Sequence, residues 1–206
     1  MKKLLFLLIA LFSFSLISVQ AQEKEMKKEE MPPMTPPKPI DDDLFTWMVG
    51  EWEGQTEGTM GKTKDWQKIE WSLDKQFITV NYSSKITSMS PEQVKAMTES
   101  MKMTEDEVKK MMEMPYKGVG QFTLNPMNGE FMGYWFDNWR GVYKGIGKRE
   151  GNKSTVTWEG PRGTSVRTME REGDNKMVEI FKDTDQSGMV MEGKSEWTRK
   201  KSKSKY

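Results

Sequence analysis

Between Gly50 and Arg199 apolar and polar residues alternate in short stretches, and most of these stretches end in a turn rich in Gly, Asn or Asp. A period of two marks a strand with one buried face. Ten stretches read this way: 51–60, 64–73, 77–85, 116–124, 130–137, 139–148, 154–159, 164–170, 177–182 and 189–199. The turns between them are short, notably Asn128-Gly129, Gly151-Asn152, Gly160-Pro161, Gly173-Asp174-Asn175 and Gln186-Ser187-Gly188. Short turns make successive strands antiparallel neighbours. A Greek-key sandwich needs several long connections and this chain offers one, so the pattern predicts an all-β, antiparallel up-and-down barrel of about 8–10 strands. The series opens on Gly50-Glu51-Trp52 and closes on Trp197-Thr198-Arg199. In a closed barrel the first and last strands pair, which predicts that Arg199 stacks over the indole of Trp52.

The period becomes helical in two places. Asp41-Asp42-Asp43 ahead of Leu44, Phe45, Trp47, Met48 and Val49 predicts a short acid-capped helix, stopped by Gly50 and placed to plug one barrel mouth. Residues 88–115 interrupt the strands. Ser90-Pro91-Glu92-Gln93 and Thr104-Glu105-Asp106-Glu107 each carry the capping-box pattern, and Val94, Met97 and Met101, then Val108, Met111 and Met112, fall on one helix face. A helical hairpin lying on the barrel is expected there.

Composition sets the context of this domain. Residues 1–21 read as a signal peptide: Lys2 and Lys3, an apolar run, then Val19-Gln20-Ala21 as the cleavage site. Residues 22–40 form a charged and then Pro-rich tether, 41–199 the barrel domain, and 200–206 a basic tail. With no cysteine there is no lipidated cysteine and no disulfide, so the expectation is a secreted or periplasmic protein that is not a lipoprotein and has no stable membrane insertion after cleavage. Without Lys2 and Lys3, 30 of the 32 basic residues remain against 31 acidic ones, which argues against a nucleic-acid partner.

Candidate chemistry is narrowed by what is missing. The chain has no His and no Cys, which removes Ser-His and Cys-His nucleophilic machinery, ordinary zinc sites and the usual haem ligand. No catalytic residue, cofactor or metal is therefore expected. Seven methionines lie between Met89 and Met114. Thioether clusters in exported proteins can hold Cu(I), but the helical spacing here fits packing or a pliable lid. Gly133-Tyr134-Trp135-Phe136-Asp137-Asn138-Trp139-Arg140 has aromatics on both strand faces, an arrangement that fits either a ligand wall or a filled core. The candidate ligand-binding residues are Trp135, Trp158, Tyr82, Arg167 and Asp137, with Arg167 placed to receive a carboxylate head group.

Five segments in order resemble a known family. They are Phe45-Thr46-Trp47-Met48-Val49-Gly50-Glu51-Trp52-Glu53-Gly54, Ile69-Glu70-Trp71-Ser72-Leu73, Gly120-Gln121-Phe122-Thr123-Leu124-Asn125-Pro126, Trp135-Phe136-Asp137 and Thr198-Arg199. Together they resemble the bacterial domain-of-unknown-function family numbered 1579 over about residues 44–199. The resemblance implies a calycin-like barrel, similar to lipocalins and fatty-acid-binding proteins, with an internal cavity. The Met-rich insert departs from that family, and the missing His departs from the nitrobindin-type haem barrels that the chain resembles in outline. The reading that results is an exported barrel that binds a small, largely apolar ligand and has no chemistry of its own. A structural or interaction protein of the envelope is the alternative, and a carboxylate-based enzyme the third.

Overall fold

A computed structural model describes residues 37–201. The signal peptide and all but the last few residues of the tether lie outside the described residues, as does most of the basic tail. Ten strands form one closed antiparallel barrel: β1 (Gly50–Gly58), β2 (Gly61–Ser72), β3 (Phe77–Ser88), β4 (Tyr116–Leu124), β5 (Phe131–Asp137), β6 (Val142–Glu150), β7 (Lys153–Gly160), β8 (Gly163–Arg171), β9 (Lys176–Asp185) and β10 (Val190–Arg199). Every strand pairs with its neighbours in sequence, and β10 returns to pair with β1. Helix α1 (Asp43–Met48) precedes the barrel, while α2 (Pro91–Met101) and α3 (Glu105–Glu113) fall between β3 and β4.

The predicted clasp is formed. Trp52 and Arg199 are directly opposite in the β1/β10 register, so both side chains share the inner face. The Arg199 guanidinium sits 4.2 Å from the Trp52 ring centroid and 5.6 Å from that of Trp47. Its Nη1 donates to the Val49 carbonyl at 2.6 Å and its Nη2 donates to the Trp47 carbonyl. These carbonyls lie at the end of α1, where a helix leaves its acceptors without partners, so one side chain closes the barrel and caps the plug together. Gly50 permits this geometry twice over: its φ is +142°, and a Cβ there would stand 2.6 Å from Arg199 Nη1.

Helix α1 fills the mouth as expected. Asp42 caps it by accepting from the Phe45 N–H at 2.9 Å, and Arg149 on β6 pairs with Asp42 at 2.5 Å and with Asp43. Leu44, Phe45 and Trp47 bury themselves among Trp52, Ile69, Ile78, Phe131, Met169, Met177 and Trp197, which makes this half of the barrel solid. Trp47 and Trp52 are held in orientation by Nε1–H bonds to the Asp174 and Met48 carbonyls, at 2.9 and 2.8 Å.

Both helices of the insert form with complete capping boxes, at Ser90/Gln93 and Thr104/Glu107. Met97 and Val108 are the buried anchors of their inner faces. Strand ends differ from the expected ones where side chains take over the backbone. The sixth strand starts at Val142 rather than Trp139, because the Asp137 carboxylate accepts from the N–H groups of Trp139 (2.9 Å) and Gly141 (2.7 Å), and Arg140 takes φ 63°. Asp137 and Arg140 therefore form a turn without an ion pair between them among the described residues.

Replacing Arg199 by Ala removes the stack and strands two carbonyls, and is expected to lower unfolding free energy by roughly 2 kcal/mol or more. Arg199→Lys keeps the charge but not the two-pronged donor and should fall between. Urea unfolding of the three proteins checks this, and equal midpoints would show that closure does not depend on the clasp.

Candidate functional site

Away from α1 the barrel interior turns polar. Inward positions alternate along each strand, and on the β3 to β5 wall they bring Tyr82, Tyr116 and Trp135 together. The Tyr82 ring meets Tyr116, Trp135 and Trp197 edge-on at 5.9, 5.9 and 6.0 Å. Trp135 Nε1 donates to Tyr116 Oη at 2.9 Å, and that hydroxyl lies 3.5 Å from Asp137 Oδ2. Trp135 lies flat over β4 because Gly118 has no side chain: a Cβ there would come within 2.2 Å of the indole.

Two carboxylate systems face this aromatic wall. Asp65 on β2 is almost wholly buried, yet its partners are hydroxyls rather than a cation. Thr56 donates to it at 2.6 Å, Thr63 at 2.8 Å and Tyr82 at 3.2 Å. Because Thr56 has spent its only proton on Asp65, Ser195 is the donor in the 2.6 Å contact between Ser195 and Thr56. On the opposite wall Arg167 donates to Glu179 at 2.7 Å, reaches Asp183 at 3.5 Å, takes Ser165 Oγ at 3.2 Å and lies over the Phe181 ring at 5.0 Å. Its side chain keeps 40% of its surface accessible, and those of Glu179 and Asp183 keep 20% and 27%, although Arg167 lies deep within the barrel, so these groups border space inside it.

The titration behaviour follows the surroundings. Burial opposes the Arg167 charge, but Glu179 and then Asp183 outweigh it and raise its pKa overall. Burial also raises the Tyr82 phenol, with the Asp65 charge adding to it. Tyr116 is pushed up to about 12, chiefly by burial, against the bond it receives from Trp135. Two buried polar atoms have no hydrogen-bond partner among the described residues: Trp197 Nε1 and Asp183 Oδ1.

Of the expected site residues, Tyr82, Trp135 and Arg167 occupy inward positions in this half of the barrel. Asp137 stands at its rim, its carboxylate largely committed to the turn above. Trp158 is inward but buried against Phe122, with ring centroids 5.5 Å apart, and fills the wall rather than offering surface. Arg167 requires the larger correction. Its charge is already answered by two carboxylates, so it is not the free cation that a fatty-acid head group would need. With Asp65 and Asp137 added, the chamber is net negative. Tyr134 and Phe136 of β5 point outward and are about half exposed. Asp65, Tyr116, Glu179 and Asp183 escaped the reading of the sequence. The signal for the last two is that an inward Arg167 needs anions on the adjoining strand, and the β8/β9 register supplies them.

The tyrosines generate a pH prediction. A phenol with a folded pKa above its unfolded value near 10 keeps its proton in the folded chain while the unfolded chain loses it. Stability is therefore undiminished below about pH 10 and falls as pH rises toward 12, by up to about 2 kcal/mol for Tyr116. Tyr116→Phe should flatten that part of a stability profile measured from pH 9 to 12. An unchanged slope would show that Tyr116 does not carry it.

No protein-family model and no curated protein matches the sequence. Solved structures do match the fold. The S-type phycobiliprotein lyase CPES from Guillardia theta is similar at 11% identity and a TM-score of 0.51, over 78% of this chain and 92% of that one. Rv2717c from M. tuberculosis is similar at 10% identity and a TM-score of 0.51, over 79% of this chain and 100% of that one. The expectation that the protein is not an enzyme does not survive this comparison: a barrel of the same fold is a lyase, so the architecture does not exclude chemistry. What the likeness carries for this chain is its fold, a closed ten-stranded antiparallel barrel of the calycin-like kind.

Proposed function

We propose that this protein takes up a small, largely apolar molecule in the half of its barrel remote from α1, with the polar end of that molecule against Arg167, Glu179 and Asp183. The observation that supports this is the chamber itself. Aromatic walls formed by Tyr82, Tyr116 and Trp135 surround the charged side chains of Arg167, Glu179 and Asp183, which keep accessible surface inside the barrel. A head group that is neutral or cationic suits this charge balance better than an acid. The N-terminal leader supports export to the periplasm or beyond, and the five ordered segments support membership of the family numbered 1579.

A second reading has its own observation. Val119, Phe136 and Val142 lie side by side across β4, β5 and β6 on the outer face, at 42%, 48% and 49% exposure, with Tyr134 and Trp139 nearby. A contiguous exposed apolar row of this kind favours an envelope interaction protein.

Three probes with one twelve-carbon chain separate the possibilities: dodecyltrimethylammonium, dodecanol and dodecanoate, each kept below its micellar concentration while tryptophan emission is followed. Saturable binding is expected, strongest for the cation and weakest for the acid, and Glu179→Gln should weaken the cation by roughly tenfold relative to the alcohol. Absence of saturation with all three would leave the interaction reading in its place. An acid bound best would overturn the charge assignment.

A further inference from the structure

Outside the chamber, α2 lies along the tips of two hairpins and leaves a cleft of about 180 Å³ between them. Half of its ten lining residues are methionines: Met60 from the β1–β2 turn, Met97 and Met101 from α2, and Met189 and Met191 from the β9–β10 connection and β10. At the overall frequency of 19 in 206, about one methionine would be expected among ten residues. The frame around them is tied by hydrogen bonds. Gln93 Nε2 donates to the Gly58 carbonyl at 3.0 Å, the Thr59 N–H to the Glu192 carbonyl at 2.9 Å, and the Glu192 N–H to Thr59 Oγ1 at 3.0 Å.

Packing alone does not ask for this choice. Leucine fills a helix-on-hairpin cleft with better defined rotamers and equal helix propensity, yet Leu44, Leu73 and Leu124 are the only leucines after residue 21. Among the described residues the side chains lining the cleft are thioethers, hydroxyls, one amide and small alkyl groups, with no carboxylate or amine. Thioethers are neutral, soft ligands on flexible stems; they suit a soft monovalent ion and discriminate against Zn(II), Ca(II) and Mg(II), which prefer harder donors. We propose that this cleft is a binding site for Cu(I), in which three of the five thioethers of Met60, Met97, Met101, Met189 and Met191 ligate the ion. The structure thereby unites methionines from three separate parts of the chain, which the helical spacing of the insert alone does not reveal.

The test titrates the purified full chain with Ag(I), and with Cu(I) kept reduced against a chromophoric Cu(I) chelator, while methionine methyl resonances are followed by NMR. One equivalent is expected to shift the five cleft methyls, with no response to Zn(II). Met→Leu substitution keeps apolar volume and removes the ligand. The variant Met60→Leu/Met101→Leu/Met191→Leu changes half-buried or exposed positions and should lose at least tenfold in affinity while keeping the native circular dichroism spectrum and the dodecyl-probe binding of the chamber. Met101→Leu alone should weaken binding and guards against a triple variant that fails to fold. Full affinity in both variants, shifts confined to Met26, Met31 and Met34 of the N-terminal segment, or no binding at micromolar Ag(I) and Cu(I) overturns the proposal.

Discussion

The rest of the barrel depends on the contact that Arg199 makes with α1 and Trp52. A meander of ten strands has two free edges until its ends meet, and each edge exposes a row of unpaired N–H and C=O groups. Here the β1/β10 ladder joins them, and Arg199 adds a directional lock: cation over indole, donors to the two carbonyls that end α1. Burial and the nearby Arg171 lower the pKa of Arg199, so holding it there costs free energy that the stack and the carbonyls offset. Because the same side chain holds the plug, the closed end of the barrel and the closure of its sheet form one unit.

That closed end lets the two halves of the interior differ. Around α1 the core has buried aromatic, aliphatic and thioether side chains from seven strands. Further along, the inner face changes to Asp65, Tyr82, Tyr116, Arg167, Glu179 and Asp183. Burying charge of this kind is costly unless each group is met. Asp65 is met by three hydroxyls and Arg167 by two carboxylates, so the polar half is largely self-consistent, while Trp197 Nε1 and Asp183 Oδ1 remain over. The polarity of a cavity in such a barrel is thus set by strand register more than by composition.

That a phycobiliprotein lyase shares this fold bears on the architecture and not on the missing residues. The lack of His and Cys excludes particular mechanisms, but tyrosines with raised pKa values, a paired arginine and several carboxylates remain on one inner surface. Fold-level likeness at 11% identity assigns none of them a role. It does show that this architecture accommodates an enzyme.

The amino-acid sequence by itself determined the ten strands, the plug, the two capped helices and the meeting of Trp52 with Arg199, because period-two patterning, turn chemistry and capping are local and the ends of a closed meander must meet. It did not reveal the partners of the inward charges. Along β9, Glu179 and Asp183 face in beside Phe181 while Ile180 is outward and 57% exposed, so two acids lie inside and an aliphatic side chain outside, against what hydrophobicity alone implies. Only the tertiary structure decided that Arg167 is neutralised, that Asp65 is held by hydroxyls from three strands, and that Met60, Met189 and Met191 join Met97 and Met101. Each of these depends on which residues lie opposite one another after closure. A one-residue change of register would reverse every such assignment and leave the local pattern almost unaltered.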